Sequence, residues 1–499
     1  MKTTLIAVLI SGLFLPAVAS ADTTFSSLTK QWTYSHALTG VTGYAAEIAA
    51  FDSATNSLWV AGVSGVDVLN ASTGSLVQHI DTTAFGSINS VAIYNGIAAF
   101  AMESTTRTDA GTIKFFDTTT RTLSSGVNSV TVGSLPDMIT FTKDGSKLLV
   151  ANEGTPTVYD NPILDPVGSV SIINMSTRTV DATVGFAGVA QTGSYLRTNT
   201  GMDFEPEYIA VNAAGTKAYV SLQEANAMAV LDLTTNTFSS VIGLGAKDFS
   251  ASGNYIDPND RDYISGSSGP TKTILRPSSV VGLYQPDAIG AYESNGQTFI
   301  VMANEGDTRE DDGDKVRASS LSGTPTDLRR LNISSTDSVP GNLVTFGARS
   351  FSIRDEAGNI VYDSGSLLDA KAIELGIYDD ARSDDKGVEP EGVELMVIGD
   401  RTYAFIGLER TTKSAVGIFD VTNPTNVSFI DMIVSDGDLA PEGLKGFTMG
   451  GMHYLAVANE VSNTTSLYSL APVPEPETYA MLLVGLGLLG FTVRRRKSL

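Results

Sequence analysis

Ten acidic residues stand in pairs along this 499-residue chain, the second member 16 to 18 positions after the first. Asp137 is followed in this way by Glu153, Glu207 by Glu224, Asp287 by Glu305, Glu391 by Glu409 and Glu442 by Glu460. Each opening acid follows a proline (Pro136, Pro206, Pro286, Pro390, Pro441), and the closing acids follow Asn152, Gln223, Asn304, Leu408 and Asn459. Carboxylates gathered at close range repel or raise one another's pKa, a conflict that a divalent cation resolves. Ligand sets made only of oxygen favour Ca²⁺ or Mg²⁺ over zinc or copper. The plainer role for any single acid is to cap a strand end or to pair with a nearby base such as Arg410 or Lys386.

Two further segments carry charge. The loop Glu305-Gly306-Asp307-Thr308-Arg309-Glu310-Asp311-Asp312-Gly313-Asp314 extends the acidity beyond a closing acid, and Asp307 joins the candidate metal ligands. It lacks the sixth-position glycine and twelfth-position glutamate of an EF-hand loop. The stretch from Arg382 to Gly392, with Glu409-Arg410, concentrates both signs of charge. Beside a bound metal, Arg382, Lys386 and Arg410 would suit orientation of a phosphate or sulfate ester; a salt-bridge network fits the same residues equally well. A retaining glycosidase, which needs two carboxylates about 5 Å apart, is a remote third reading. With only His36, His79 and His453, a zinc site or a Ser-His-Asp triad has little raw material. No glycine-rich loop leads into a helix, which excludes the common nucleotide-binding folds.

Such pairs need a hairpin: the start of one strand and the end of the next then lie at the same sheet edge. Short Val/Ile/Thr/Tyr runs bounded by Gly, Asn, Asp and Ser recur throughout, 48 glycines punctuate them, and stripes of helical period are scarce. The composition is all-β. Aligned on the acids, units begin near Tyr44, Ser87, Leu135, Phe204, Gln285, Val388 and Leu439. Compact units of about 40 to 50 residues with four short strands predict a seven-bladed β-propeller, the acids ringing its central mouth. The first unit has Glu47 without a clear closing acid, and the second has Asn89 in place of an opening one but keeps Glu103. Gln31–Leu38 is expected to supply the outer strand missing from the last unit. Long insertions at Gly154–Val167, Gly243–Leu283, Gly306–Asn342 and Asp363–Gly387 should decorate the same face as the acids. Ser366–Leu375 reads as a short helix.

The ends have separate roles. Residues 1–21 form a secretory signal peptide, with Lys2, an apolar run from Leu5 to Val18 and the small residues Ala19-Ser20-Ala21. Residues 22–43 are an N-terminal segment, 44–470 the propeller, and 471–499 a tail with Pro474-Glu475-Pro476, an apolar run from Thr478 to Val493 and Arg494-Arg495-Arg496-Lys497. That run reads as a short transmembrane helix of about 24 Å with its basic end cytoplasmic. The formal charge of −23 repels nucleic acid and anionic lipid. The chain has no cysteine, so neither disulfides nor thiolate metal sites are available to an exported protein.

The tail resembles the PEP-CTERM sorting signal, which implies a Gram-negative bacterium, transient inner-membrane anchoring by the C-terminal helix, removal of the tail by an exosortase and delivery to the cell surface or extracellular matrix. Tyr284-Gln285-Pro286-Asp287-Ala288, Ala303-Asn304-Glu305-Gly306-Asp307, Gly347-Ala348-Arg349-Ser350-Phe351-Ser352-Ile353, Arg382 to Gly392 and Gly407-Leu408-Glu409-Arg410 resemble the choice-of-anchor I family of exported propellers. Some of its members are labelled alkaline phosphatase-like, others only surface proteins. Two functions fit. One is a cation-binding surface module that presents its loop-rich face to an extracellular polymer. The other is a Ca²⁺-dependent phosphoesterase in which metal-activated water attacks, since no side-chain nucleophile is identifiable. For that reason the first is preferred.

Overall fold

The computed structural model describes residues 25–472 apart from 162 and 199–203. Seven antiparallel units follow one another along the chain. The first is built from Ala49–Asp52, Ser57–Gly62, Gly65–Asn70 and Leu76–Asp81; the third from Pro136–Phe141, Lys147–Asn152, Ser169–Asn174 and Thr179–Val184. The second unit runs from Ile88–Tyr94 to Ser129–Ser134 and the fourth from Ile209–Val211 to Thr237–Leu244; each carries an additional short strand. The fifth takes Ile289–Ser294, Gln297–Asn304, Ser350–Asp355 and Ile360–Asp363, and the sixth Pro390–Ile398, Arg401–Leu408, Ser414–Asp420 and Ser428–Ser435. The seventh joins both ends of the chain: Phe25–Ser35 lies beside Thr464–Pro472, followed by Met452–Asn459 and Pro441–Met449.

Local chemistry makes these hairpins. In the fourth unit Asn212 ends the first strand, and its side chain accepts the amides of Thr216 at 2.9 Å and Lys217 at 3.0 Å. Gly215, at φ 66°, supplies the left-handed step that returns the chain into Lys217–Leu222. Asp144 and Gly145 do the same in the third unit. Second and third strands are apolar on both faces because each sheet packs against the next. Leu149, Ala151, Val170 and Ile172 of the third unit meet Val220, Leu222, Ala227 and Ala229 of the fourth in one buried cluster. Val301, Ala303, Phe351 and Ile353 meet Ala404, Ile406, Ala415 and Phe419 in another.

The seven-bladed propeller expected from the repeat is not what the sheets form. Among the described residues there are nine separate small sheets, and none closes on itself into a barrel or propeller. The physical reason is that a repeat period is set inside a unit, by hairpin-linked strands, and carries no information about closure between units. Contact between neighbouring sheets, without a shared ladder, brings the acids together. Pro136–Phe141 packs beside Ile88–Tyr94 and Ile209–Val211, Ile289–Ser294 beside Ile209–Val211 and Pro390–Ile398, and Pro441–Met449 beside Pro390–Ile398 and Ala49–Asp52.

The insertions between residues 245 and 345 have a small core of their own, around Phe249, Ile256, Leu331, Ile333 and Leu343. The α-helix Leu367–Glu374 falls inside the span expected for it. The signal peptide and the tail from residue 473 lie outside the described residues, as does the apolar run from Thr478 to Val493. Among the described residues no helix is long and apolar enough to cross a membrane. No described helix supports the expected transmembrane helix or the inner-membrane anchoring built on it, whose residues lie outside the described ones.

Arg349, 1% exposed, fastens the insertions to the sheets. Its guanidinium donates to the carbonyls of Asp257 at 3.0 Å, Ser383 at 2.8 Å and Asp385 at 2.8 Å. Arg349→Ala leaves these acceptors without donors and removes the guanidinium 3.9 Å from the buried Asp369 carboxylate, an expected loss of about 3–5 kcal/mol. Urea denaturation of both proteins measures it; a loss under about 1 kcal/mol would show that the insertions hold without this side chain.

Candidate functional site

At four of the five openings the residue before the proline has a left-handed backbone: Leu135 at φ 44°, Gln285 at 41°, Glu389 at 50° and Ala440 at 56°. None is a glycine, so the conformation is uphill and must be held by its surroundings. Part of the hold is a hydrogen bond from the closing end of the hairpin. The Glu153 amide donates to Leu135 at 2.9 Å, Gly306 to Gln285 at 3.0 Å, Glu409 to Glu389 at 2.9 Å and Glu460 to Ala440 at 2.8 Å. The prolines then pair directly opposite the residue before the closing acid, Pro136 with Asn152, Pro390 with Leu408 and Pro441 with Asn459. In all three hairpins the register slips immediately after the proline. Asp137, Glu391 and Glu442 lie in these irregular stretches, a device that re-aims side chains.

The residue before the closing acid anchors the other side. Asn152, fully buried, donates to Ser169 at 3.2 Å and Ser171 at 2.9 Å on the third strand. Asn304 makes the same pair of contacts to Ser350 and Ser352, both at 3.3 Å. Asn459 accepts from Ser414 at 2.6 Å. Gln223 departs from this pattern and reaches across to the Glu305 carboxylate at 2.8 Å.

Ten of the eleven acids singled out in the sequence line one cavity of about 420 Å³: Asp137, Glu153, Glu207, Glu224, Asp287, Glu305, Asp307, Glu391, Glu409 and Glu442. Arg382, Lys386 and Arg410 line it too. Glu460 does not; it lies close enough to Glu47 and Glu442 to raise both their pKa values. The sequence reading missed Glu389 as a ligand. It precedes a proline and stands outside the paired spacing, yet it is buried at the centre of the basic residues. Two sets of carboxylate oxygens lie within 4.8 Å of one another, that of Asp287, Glu305 and Glu391 and that of Glu305, Glu389 and Glu409.

The three bases are all engaged. Lys386 Nζ sits 2.6 Å from Glu305, 2.9 Å from Glu389 and 3.2 Å from Asp307. Arg382 holds Glu389 at 2.6 Å and Asp385 at 3.1 Å, and Arg410, half-exposed, holds Glu409 at 2.6 Å. Burial opposes the charge on Lys386, but Glu305, Glu389 and Asp307 keep its pKa well above the usual lysine range. Arg349, through the Ser383 and Asp385 carbonyls, and Arg317 and Arg330, each 2.7 Å from Asp384, fix the segment that carries this lysine.

Asp137, Glu153, Glu207, Glu224, Asp287, Glu391 and Glu442 have no such ion pair among the described residues, and burial raises them and Glu409 alike. Burial, then Glu103, pushes Asp137 up to about 7, and burial pushes Glu224 up to about 7. Glu409 is pushed to about 8 by burial and by Glu305 and Glu389, against the pull of Arg410 and Lys386. Glu153, Glu207, Asp287, Glu391 and Glu442 lie well above the usual carboxylate range, burial being the main cause in each and neighbouring acids the next. Glu207, Glu224 and Glu391 each turn a buried oxygen, Oε2, that has no hydrogen-bond partner among the described residues. Such a set of hard oxygen donors fits a divalent cation of the Ca²⁺ or Mg²⁺ kind.

Residues 47–424 match the choice-of-anchor I domain and residues 472–497 the PEP-CTERM protein-sorting motif. No curated protein matches the chain. Similar solved structures include the hydrazine synthase of Kuenenia stuttgartiensis, 10% identical over 86% of this chain and 96% of that one, with a TM-score of 0.49. Another is a chain of a mitotic checkpoint complex, 8% identical over 94% of this chain and 99% of that one, with a TM-score of 0.48. Neither likeness carries an argument about function.

The raised carboxylates keep their protons in the folded chain at pH values where the unfolded chain, with pKa values of about 4, has released them. Folding therefore takes up protons, and without divalent cations this stability is fully present below about pH 4 and lost as pH rises through 7 and 8. The urea midpoint in chelator should fall steadily from about pH 5 to 8. A midpoint that climbs over that range would show that the cavity acids are already ionised.

Proposed function

The chain belongs to the choice-of-anchor I family and is an exported, surface-associated protein whose PEP-CTERM motif marks its tail for exosortase processing, and from that premise we propose that it is a divalent-cation-binding interaction module. The cation, Ca²⁺ or Mg²⁺, neutralises the acidic cavity, and the loop-rich face around it engages an extracellular polymer, acidic groups of the polymer being bridged through the metal. The observation that carries this reading is the charge imbalance: thirteen carboxylates line the cavity against four cationic side chains. Unpartnered buried oxygens on Glu207, Glu224 and Glu391 support it, because a buried carboxylate without a donor or cation is costly unless protonated.

The phosphoesterase alternative draws less support from the same residues. Arg382 and Lys386, the candidates for holding an ester phosphate, are tied to Glu389 and Glu305 and would have to abandon buried partners. Only Arg410 stands half-exposed at the rim. Among the cavity-lining residues Thr308 alone carries a hydroxyl, and no histidine is present. His36 and His79 are both bound to Asp67 at 2.7 Å, away from the cavity.

Two measurements on the purified chain test the proposal. Thermal denaturation with Ca²⁺ or Mg²⁺ against chelator at pH 7.5 should show cation-dependent stabilisation, about 2.7 kcal/mol when the cation stands at one hundred times its Kd. An unchanged melting temperature would remove the cation from the function. A generic phosphomonoester should not be turned over with either metal; turnover abolished by Arg410→Ala would establish the esterase instead.

A further inference from the structure

The first strands that carry acids at their beginnings end in a different chemistry. Pro136–Phe141 has Asp137 near its start and finishes at Phe141, roughly 13 Å further on at about 3.3 Å per residue. Around such strand ends lies a second cavity, of about 570 Å³, to which all seven units contribute. A third, of about 510 Å³, is lined by the second and third units and shares Tyr94 and Phe141 with the second cavity. Neither shares a lining residue with the acidic cavity. Both fall within the roughly 300–1,000 Å³ typical of small-ligand sites.

Charge sets these two cavities apart. Together they are lined by four basic side chains, Lys143, Lys147, Arg178 and Lys445, and one acid, Glu394, in a chain whose formal charge is −23. Glu394 is matched by Lys445 at 3.1 Å. Lys147 donates to the Leu233 carbonyl at 2.5 Å and the Asn236 side chain at 3.1 Å, and Arg178 to the Ser124 hydroxyl at 2.5 Å and the Val127 carbonyl at 2.7 Å, all neutral acceptors. The exposed Lys143 ammonium makes neither a hydrogen bond nor an ion pair among the described residues. Asp144, next in the chain, lines neither cavity and is turned back onto the Thr142 and Ser146 hydroxyls. An apolar platform lies beside these charges. Tyr94 is 36% exposed, its ring centroid is 5.7 Å from that of Phe141, and it lies across the turn at Gly145, where a Cβ would collide with it. Ile97 and Met175 continue the apolar wall.

We infer that this basic, aromatic region is a second binding site, and that it takes an acidic saccharide, a uronic-acid-bearing segment of an extracellular polymer, without a metal. A sugar ring offers an apolar face to the Tyr94–Phe141 platform and a carboxylate to Lys143. Lys147 and Arg178, whose charge no carboxylate cancels, add attraction at longer range. The site goes beyond the cation-binding reading above and does not depend on it.

Isothermal titration of the full chain with a glucuronate-containing tetrasaccharide, in chelator and at low salt, tests the site. The unaltered chain should bind it, and more weakly as salt is added. The same tetrasaccharide with its carboxyl groups reduced should bind about five-fold more weakly. Lys143→Ala should cost about the same factor with the acidic sugar and leave the reduced one unaffected, whereas Tyr94→Ala should weaken both by about ten-fold. Circular dichroism confirms that each variant is folded, and if Tyr94→Ala does not fold, the exposed Lys143→Ala decides alone. Equal binding of the acidic and reduced sugars, or binding that Lys143→Ala leaves unchanged, would overturn the assignment. So would an unaltered chain that ignores the acidic sugar in chelator; binding that then appears on adding Ca²⁺ would place the polymer at the metal-bridged cavity instead.

Discussion

Carboxylates forced into a small volume repel, and their charge must be met by a proton, a tethered base or a mobile cation. Much of the architecture around the cavity follows from that constraint. Lys386 can act as a tethered base only because its segment is immobilised: Arg349 grips the Ser383 and Asp385 carbonyls just before it, and Asp384 is caught between Arg317 and Arg330. The insertions thus place one positive charge at a fixed point among Glu305, Glu389 and Asp307. A looser loop would let the lysine follow solvent and leave those three acids facing one another.

The same constraint explains the backbone at the openings. A regular hairpin start would point successive side chains to alternate faces of its sheet. The left-handed residue before Pro136, Pro390 and Pro441 and the slipped register after each of these break that alternation, so that Asp137, Glu391 and Glu442 turn towards a common space. The second unit shows the alternative. It carries Asn89 where the others have an acid, and the Asn89 amide donates to the Pro136 carbonyl at 3.3 Å, joining neighbouring sheets by a neutral contact.

What the sequence disclosed was local. The Pro-Asp and Pro-Glu openings and their partners 16 to 18 residues later are all properties of a hairpin. They were enough to bring ten of eleven acids to one cavity. Closure into a propeller was over-read, because nothing in a unit of 40 to 50 residues specifies how separate sheets meet. Glu389 escaped notice since its importance comes from Lys386 and Arg382, neighbours supplied by tertiary packing. Arg349 appeared only as part of a family-like motif; its three carbonyl partners come from segments 34 to 92 positions away, beyond any periodic signal.

The sheet made from the two ends of the chain bears on when the protein can fold. Phe25–Ser35 is the first described strand and Thr464–Pro472 the last, and His36 seals their junction through the Asn463 carbonyl and the Thr465 hydroxyl. An unfinished polypeptide has nothing for its opening strand to pair with. A chain that still lacks residues 464–472 cannot complete this sheet, which keeps Phe25–Ser35 unpaired until that strand is present, and a chain truncated before residue 464 would leave an open sheet edge for other strands to capture.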